Sequence, residues 1–217
     1  MRGDERCCGH DQLWGGEDAV FERLAEKNVA LLHEAAPETI VTACPECALT
    51  LDREYRERFG VPAAEVRHIA QVIAEHREEL DLNASPQTVA FSDPCRLGRH
   101  RGLYDEPREA LQAVPELEVR ELARSRRRAV CCAGNWQGCN QATKRIQTDL
   151  MNDAAKTGAD TLVTACPKCL IHLTCAQRGQ EEGVPDLAIR DLASVVAGAL
   201  QRTDREAAAG SSAEERR

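Results

Sequence analysis

The amino-acid sequence predicts an α/β protein of two tandem duplicated modules with small, mostly parallel sheets, the first module truncated at its N-terminus. Three observations carry this reading. Short β-branched runs alternate with stretches of helical period, which is the pattern of strand–helix units on parallel sheets. The block Thr39-Ile40-Val41-Thr42-Ala43-Cys44-Pro45-Glu46-Cys47 returns 122 positions later as Thr161-Leu162-Val163-Thr164-Ala165-Cys166-Pro167-Lys168-Cys169, and repetition at a fixed offset marks duplication. The cysteines follow the same scheme: Cys7-Cys8 and Cys44-x-x-Cys47 in one half, Cys131-Cys132 and Cys166-x-x-Cys169 in the other, with Cys95 leading only the second set.

Composition narrows the class. At 217 residues the chain suits one large domain or two modules of about 100 residues each. Aromatic residues make up only 3%, so the interior must be built from Ala, Val, Leu and Ile. A net charge of -8 argues against a nucleic-acid binder, whose footprint would be basic. No apolar run approaches the roughly 18 residues of a membrane span, and no secretory signal opens the chain. A reducing cytoplasm is therefore expected, with the protein either free or peripheral to a membrane complex. Eleven cysteines in adjacent pairs and CxxC motifs then point to metal or redox chemistry rather than structural disulfides.

In chain order, Val20, Phe21, Leu24, Leu31 and Leu32 recur at helical spacing and predict a helix over Glu17–Ala35. Thr39–Thr42 reads as a buried parallel strand. Proline favours the first helical position, so Cys44 should cap a helix with Cys47 in its first turn. There the orphan N–H groups favour thiolate. Val61-Pro62 ends that helix, and Val66–Glu75 reads as a strand turning into a helix. The aperiodic stretch 83–87 is the expected boundary between a first module, residues 1–84, and a second, residues 85–200. Thr88–Phe91 is the next strand, followed by a proline-started helix at Ser92-Asp93-Pro94-Cys95 with Asp93 as its cap. A helix over Pro107–Ala113 and an edge strand at Val119–Leu122 follow. Ile146, Leu150 and Ala154 step by four and place a core-facing helix from Thr143. The segment 201–217 reads as a disordered tail.

Cys95 precedes the adjacent pair by 36 positions, and the pair precedes the CxxC by 34. Packing demands no such spacing, whereas an iron–sulfur cluster requires thiolates converging from several directions. A structural zinc protein is the alternative from another class, since four sulfurs can close a tetrahedral site. Cys139 and Cys175 fall outside the repeat and read as structural, Cys139 as a buried free thiol. Arg96, Arg99, His100 and Arg101 follow Cys95, and Arg124, Arg126, Arg127 and Arg128 precede Cys131. They are either a solvated charge run or cations that favour an anionic cluster, substrate or partner. His10, His68 and His172 read as hydrogen-bonded histidines more than as ligands. No GxGxxG follows a strand, so neither a flavin nor a nicotinamide site is expected.

These residues resemble the cysteine-rich CCG-domain family, whose pattern is a cysteine, 30–40 residues, Cys-Cys-Gly, a similar interval, then CxxC. The family includes the B-type and D-type proteins of heterodisulfide reductases and the iron–sulfur subunits of glycolate and lactate oxidases. Ser92–Arg99, Gly102–Arg108 and Cys166–His172 are most similar to the heterodisulfide reductase D-type branch. The resemblance implies a [4Fe–4S] cluster, including the non-cubane kind, in the second module, and a second site in the first that, short of one thiolate, is expected to bind a cluster weakly, bind zinc instead or stay empty. Cys95, Cys131, Cys132, Cys166 and Cys169 match a complete ligand set, and Cys7, Cys8, Cys44 and Cys47 match all but the first member of another. It also implies an electron-transfer subunit of a heterodisulfide reductase-like complex. Such a subunit acts on a disulfide or relays electrons, as in hydroxy-acid oxidases, and takes them from a flavoprotein or a membrane cytochrome. Ala133 departs from the pattern where the family has glycine. If that position uses positive φ, Ala133 costs about 1 kcal/mol unless Gly134 takes over.

Overall fold

The computed structural model describes residues 4–134, 139–179 and 183–201. The expected disorder of the tail falls on residues 202–217, outside the described residues. The first half runs α1 (His10–Trp14), α2 (Asp18–Ala35), β1 (Thr39–Thr42), α3 (Pro45–Leu49), a π-helical segment Thr50–Tyr55, α4 (Arg56–Phe59), β2 (Glu65–His68) and α5 (Ile69–Glu75). Its two strands pair in parallel, Thr39 opposite Glu65 through Thr42 opposite His68.

The second half runs β3 (Gln87–Ser92), α6 (Gly98–Arg101), α7 (Glu106–Gln112), β4 (Leu117–Glu121), a 3-10 turn at Arg126–Arg128, α8 (Gln141–Ala155), β5 (Thr161–Thr164), α9 (Pro167–Arg178), β6 (Ala188–Asp191) and α10 (Leu192–Ala199). Its strands form one parallel sheet in the order β4-β3-β5-β6. The unit α2-β1-α3-β2-α5 thus recurs as α8-β5-α9-β6-α10. Among the described residues, β3, α6, α7 and β4 have no counterpart in the first half.

The repeat extends to helix starts. Cys44 and Cys166 are both extended N-caps with proline following them in the first turn, although neither thiol caps the helix. His68 and Asp191, at the ends of β2 and β6, cap α5 and α10. The His68 ring accepts from the Ala70 N–H (3.2 Å) and the Asp191 carboxylate from the Ala193 N–H (2.9 Å). Thr39–Thr42, expected as a buried strand, is instead partly exposed along its length as β1, whereas its counterpart β5 is buried at all four positions. β5 has β3 on one side and β6 on the other, whereas β1 pairs only with β2 among the described residues. Val41 is accordingly 46% exposed.

Among the described residues, three apolar interiors organise the fold. One joins Ala70 and Ile73 of α5 to Val89 and Phe91 of β3, Ala110 and Leu111 of α7, and Leu192 and Val196 of α10. A helix of the first half therefore packs into the second half's core. The stretch after it is tied in as well, because the Asn83 N–H donates to the Ala199 carbonyl (2.7 Å) and the Gln201 N–H to the Asp81 carbonyl (3.0 Å). On the sheet's other side Leu150, Met151, Leu162 and Leu173 pack with Cys132, Cys166 and Cys169. The third interior is small: Phe21, Ala25 and Tyr55 with Leu32 and Phe59. Full burial of side chains such as Phe91 or Leu162 stabilises by roughly 1.5–3 kcal/mol each.

Asp93 departs from its expected role. No helix starts at Pro94; residues 95–97 form a turn leading into α6. The Asp93 carboxylate instead accepts two hydrogen bonds from buried Arg108 (2.8 and 3.0 Å) and one from the Arg126 N–H (2.7 Å). Arg108 also holds Glu121 and donates to the Tyr104 carbonyl (2.6 Å). This knot fixes the ends of β3 and β4 and the turn before Cys131.

Candidate metal centres

In the second half, β5 delivers Cys166 to the start of α9, with Cys169 one turn on. Cys95 follows Pro94 past the end of β3. Cys131 and Cys132 come from the segment after the Arg126–Arg128 turn, where Gln147 of α8 donates to the Cys132 carbonyl (3.1 Å). These origins bring all five thiols to the carboxyl ends of β3 and β5, where parallel sheets gather ligands. The sulfur atoms of Cys95 and Cys131 are 3.8 Å apart, and those of Cys132 and Cys169 are 3.0 Å apart. Hydrogen bonds between Cys131 and Cys132 and between Cys169 and Cys166 complete the series.

The first half repeats this with four thiols. Cys7 bonds Cys8, Cys8 bonds Cys47, and Cys47 bonds Cys44. Asn28 of α2 donates to the Cys7 carbonyl (3.2 Å) and Tyr55 to the Cys8 carbonyl (3.2 Å). The first cysteine of each adjacent pair, Cys7 and Cys131, is exposed, while Cys8 and Cys132 are buried. Each group thus has one side toward solvent.

The residue after each pair takes the left-handed region, Gly9 at φ 80° and Ala133 at φ 52°. Glycine is needed at position 9 for space as well, since an added Cβ would lie 2.6 Å from Phe21. Gly134 does not take over the positive φ from Ala133. Its lack of a side chain makes room instead for the His172 ring and the Cys132 sulfur, 2.9 and 3.2 Å from where a Cβ would stand.

Charge is unevenly shared within each group. Hydrogen bonds from the Cys47 and Cys7 thiols pull Cys8 down to about 3, and those from Cys132 and Cys95, with help from Arg99, pull Cys131 down to about 2. Their donors move the other way. Cys132 is pushed up to about 12 by Cys131, and Cys7, Cys47, Cys95 and Cys169 are raised by the neighbouring sulfurs and by burial. Cys44 is lowered as well, by its hydrogen bond with Cys47, so the first group favours thiolate at Cys8 and Cys44 and the second at Cys131, and a metal must displace the remaining protons.

An ion pair separates the two groups. Glu46 and Lys168 hold the same position in the repeated Cys-Pro-x-Cys, and they meet at 2.8 Å, both largely buried. Lys168 also holds Asp11. Burial opposes its charge, but hydrogen bonds to Asp11 and Glu46 raise its pKa; burial pushes Glu46 up, against the pull of Lys168. His10 lies 3.7 Å from Glu46 and shares a hydrogen bond with Thr50 (2.8 Å); burial lowers it to about 4, so its ring is neutral. His68 caps α5 and bonds the Ala43 carbonyl (3.0 Å). Within the repeated block, position 46/168 is where the charge changes sign, but nothing in the sequence says that the two residues touch.

Cys139 is exposed, against the expectation of a buried thiol, and exposed Cys175 accepts from Lys144 (3.1 Å). Among the described residues, no three cysteine, histidine or carboxylate side chains converge at the spacing of a single metal ion. Sets of five and four thiols, one side of each open to solvent, suit an iron–sulfur cluster as donors. No helix of the described residues is long and apolar enough to cross a membrane.

Comparison with known proteins supports iron–sulfur binding by this chain. The D-type subunit of the dihydromethanophenazine:CoB–CoM heterodisulfide reductase of Methanosarcina barkeri is 30% identical over 214 residues, covering 92% of this chain and 51% of its own. The B-type subunit of the fumarate reductase (CoM/CoB) of Methanothermobacter marburgensis is 28% identical, over 86% of this chain and 37% of its own. A probable membrane-anchored ferredoxin of Chromohalobacter salexigens is 33% identical, over 92% and 31%. The chain thus spans about half or less of the length of these relatives. The family model of the CCG cysteine-rich domain matches residues 1–52 and 89–174, which include the eight repeated cysteines and Cys95. The chain belongs to the CCG cysteine-rich domain family.

Proposed function

We propose that this chain is an iron–sulfur electron-transfer unit of the heterodisulfide reductase type, with one [4Fe–4S] cluster in each cysteine group. The observation that supports the reading is the Glu46–Lys168 ion pair, which brings the two thiol groups side by side in one chain. Cys95, Cys131, Cys132, Cys166 and Cys169 would hold one cluster, and Cys7, Cys8, Cys44 and Cys47 the other. A bound cluster supplies one-electron chemistry. The protein's part is to converge the thiolates, shield Cys8, Cys132, Cys166 and Cys169 from solvent, and place cations beside the anionic centres, which raises their potential. Residues 1–84 and 85–200 are the two modules in this account, joined by the core that α5 enters. Electrons come from another chain, a flavoprotein or a membrane cytochrome, and leave to a disulfide or to a further partner.

Anaerobic reconstitution with iron and sulfide, followed by redox titration with a viologen dye, tests the reading. It predicts broad absorbance near 400 nm that bleaches on reduction. Stoichiometric zinc with no sulfide would establish the structural-zinc alternative instead. Disulfide reduction is a separate question: a reconstituted protein that exchanges electrons with the dye but reduces no disulfide is a relay.

A further inference from the structure

The arginines around the second cysteine group split into two classes. Arg101 pairs with Asp52 (2.9 Å), Arg108 with Asp93 (2.8 Å), Arg124 with Asp153 (2.7 Å) and Arg126 with Asp105 (2.7 Å). Arg96, Arg99, Arg127 and Arg128 make no ion pair among the described residues, in a chain where carboxylates outnumber basic side chains by 36 to 28. The unpaired ones are not scattered. α6, which carries Arg99 and His100, packs beside the Arg126–Arg128 turn, and Arg99 donates to the Ala129 carbonyl (2.6 Å). Arg96 bonds His100 (2.8 Å) and lies over the Trp14 ring, 3.6 Å from its centroid. Trp14 is 48% exposed although it stacks on His10 and meets His100 edge-on.

We infer that the surface formed by Trp14, Arg96 and Arg99, together with Arg127 and Arg128 of the turn beside α6, is the docking face for an acidic redox protein. Three features argue for it. Among the described residues these arginines pair with no carboxylate, so a partner's carboxylates can neutralise them without breaking an ion pair already made. Exposed tryptophan and arginine are the residues that most often anchor interfaces, and the guanidinium–indole stack already orders both side chains. The location also suits electron entry: Arg96 is adjacent to Cys95, Arg99 acts electrostatically on Cys131, and His10, stacked under Trp14, follows the first cysteine group. The inference builds on the electron-transfer reading above by specifying the partner's chemistry.

The probe is an acidic plant-type ferredoxin in its oxidised form, with basic cytochrome c as control, each added to the reconstituted protein and followed by calorimetry and stopped-flow binding. Ferredoxin should bind and cytochrome c should not. Affinity should fall steeply with added salt, as steered association does. Arg127→Glu/Arg128→Glu, which breaks no ion pair among the described residues, should slow association about tenfold or more. Trp14→Ala should speed dissociation. Unchanged iron content and circular dichroism in these variants exclude misfolding as the cause. Salt-insensitive binding, equal binding of cytochrome c, or no effect of the Arg127/Arg128 reversal overturns the docking face. If the clusters accept electrons from a viologen but ferredoxin does not bind, the docking face falls and the relay stands. If oxidised ferredoxin binds as described but ferredoxin first reduced with dithionite passes no electron to the clusters, the relay falls and the docking face stands.

Discussion

Two residues hold strain or charge that substitution can expose. Ala133 carries φ 52° where the first module places Gly9 at 80°. A left-handed alanine costs roughly 1–2 kcal/mol relative to a permitted conformation, partly offset by glycine's greater freedom when unfolded. Ala133→Gly is therefore expected to stabilise by about 1 kcal/mol in chemical denaturation; a neutral or destabilising result would mean the position relaxes elsewhere. Gly9→Ala should be harmful, since Phe21 blocks the added methyl. Arg108→Met leaves Asp93 buried without its partner and should destabilise by about 3–5 kcal/mol. Glu121 is held below the usual carboxylate range by Arg108. That contribution is present above the unfolded carboxylate pKa and is lost as pH falls through the lower folded one. The gap between wild type and Arg108→Met should thus narrow on acidification, and a gap constant down to about pH 3 would contradict the assignment. Asp93 also shows a limit of local reading. Asp-Pro looks like a helix cap in sequence, but Arg108, 15 positions away, claims the carboxylate, and no local pattern encodes that contact.

The elements were legible where sequence period and repetition agree. β1, β5, α2, α8 and the two Cys-Pro helix starts fall where β-branched runs, four-residue steps and prolines put them. Burial was less legible: β1 and β5 have nearly the same residues, yet β5 is interior and β1 half-exposed, because neighbouring strands decide burial. The facing of Glu46 and Lys168 was likewise beyond the sequence, since an offset of 122 residues says that two elements are alike and not that they touch. This pair belongs to the α3 and α9 starts and gives an element-scale test. Lys168→Met and Glu46→Gln should each destabilise the fold by about 3 kcal/mol, and their double variant by less than the sum. Strict additivity in that cycle would mean the two helix starts are not coupled through the ion pair.

For the whole molecule, the duplication, the parallel sheets and the membership of nine cysteines in one scheme were readable in advance, whereas the shared core was not. Residues 83–87 look like a linker by composition, yet α5 before them and α10 near the end of the described chain meet in one apolar interior. Opening one module should therefore loosen the other, so thermal unfolding of the metal-free protein should show a single transition. The central claim is that the two thiol groups are separate cluster sites. Iron and acid-labile sulfide per chain, measured after anaerobic reconstitution of wild type, Cys8→Ala and Cys132→Ala, test it most directly. Wild type should hold about eight irons per chain, taking four per cluster, and each variant about four, with the five-thiol site retaining its iron longer under a chelator. Zinc without sulfide, or iron unchanged by either substitution, would contradict it.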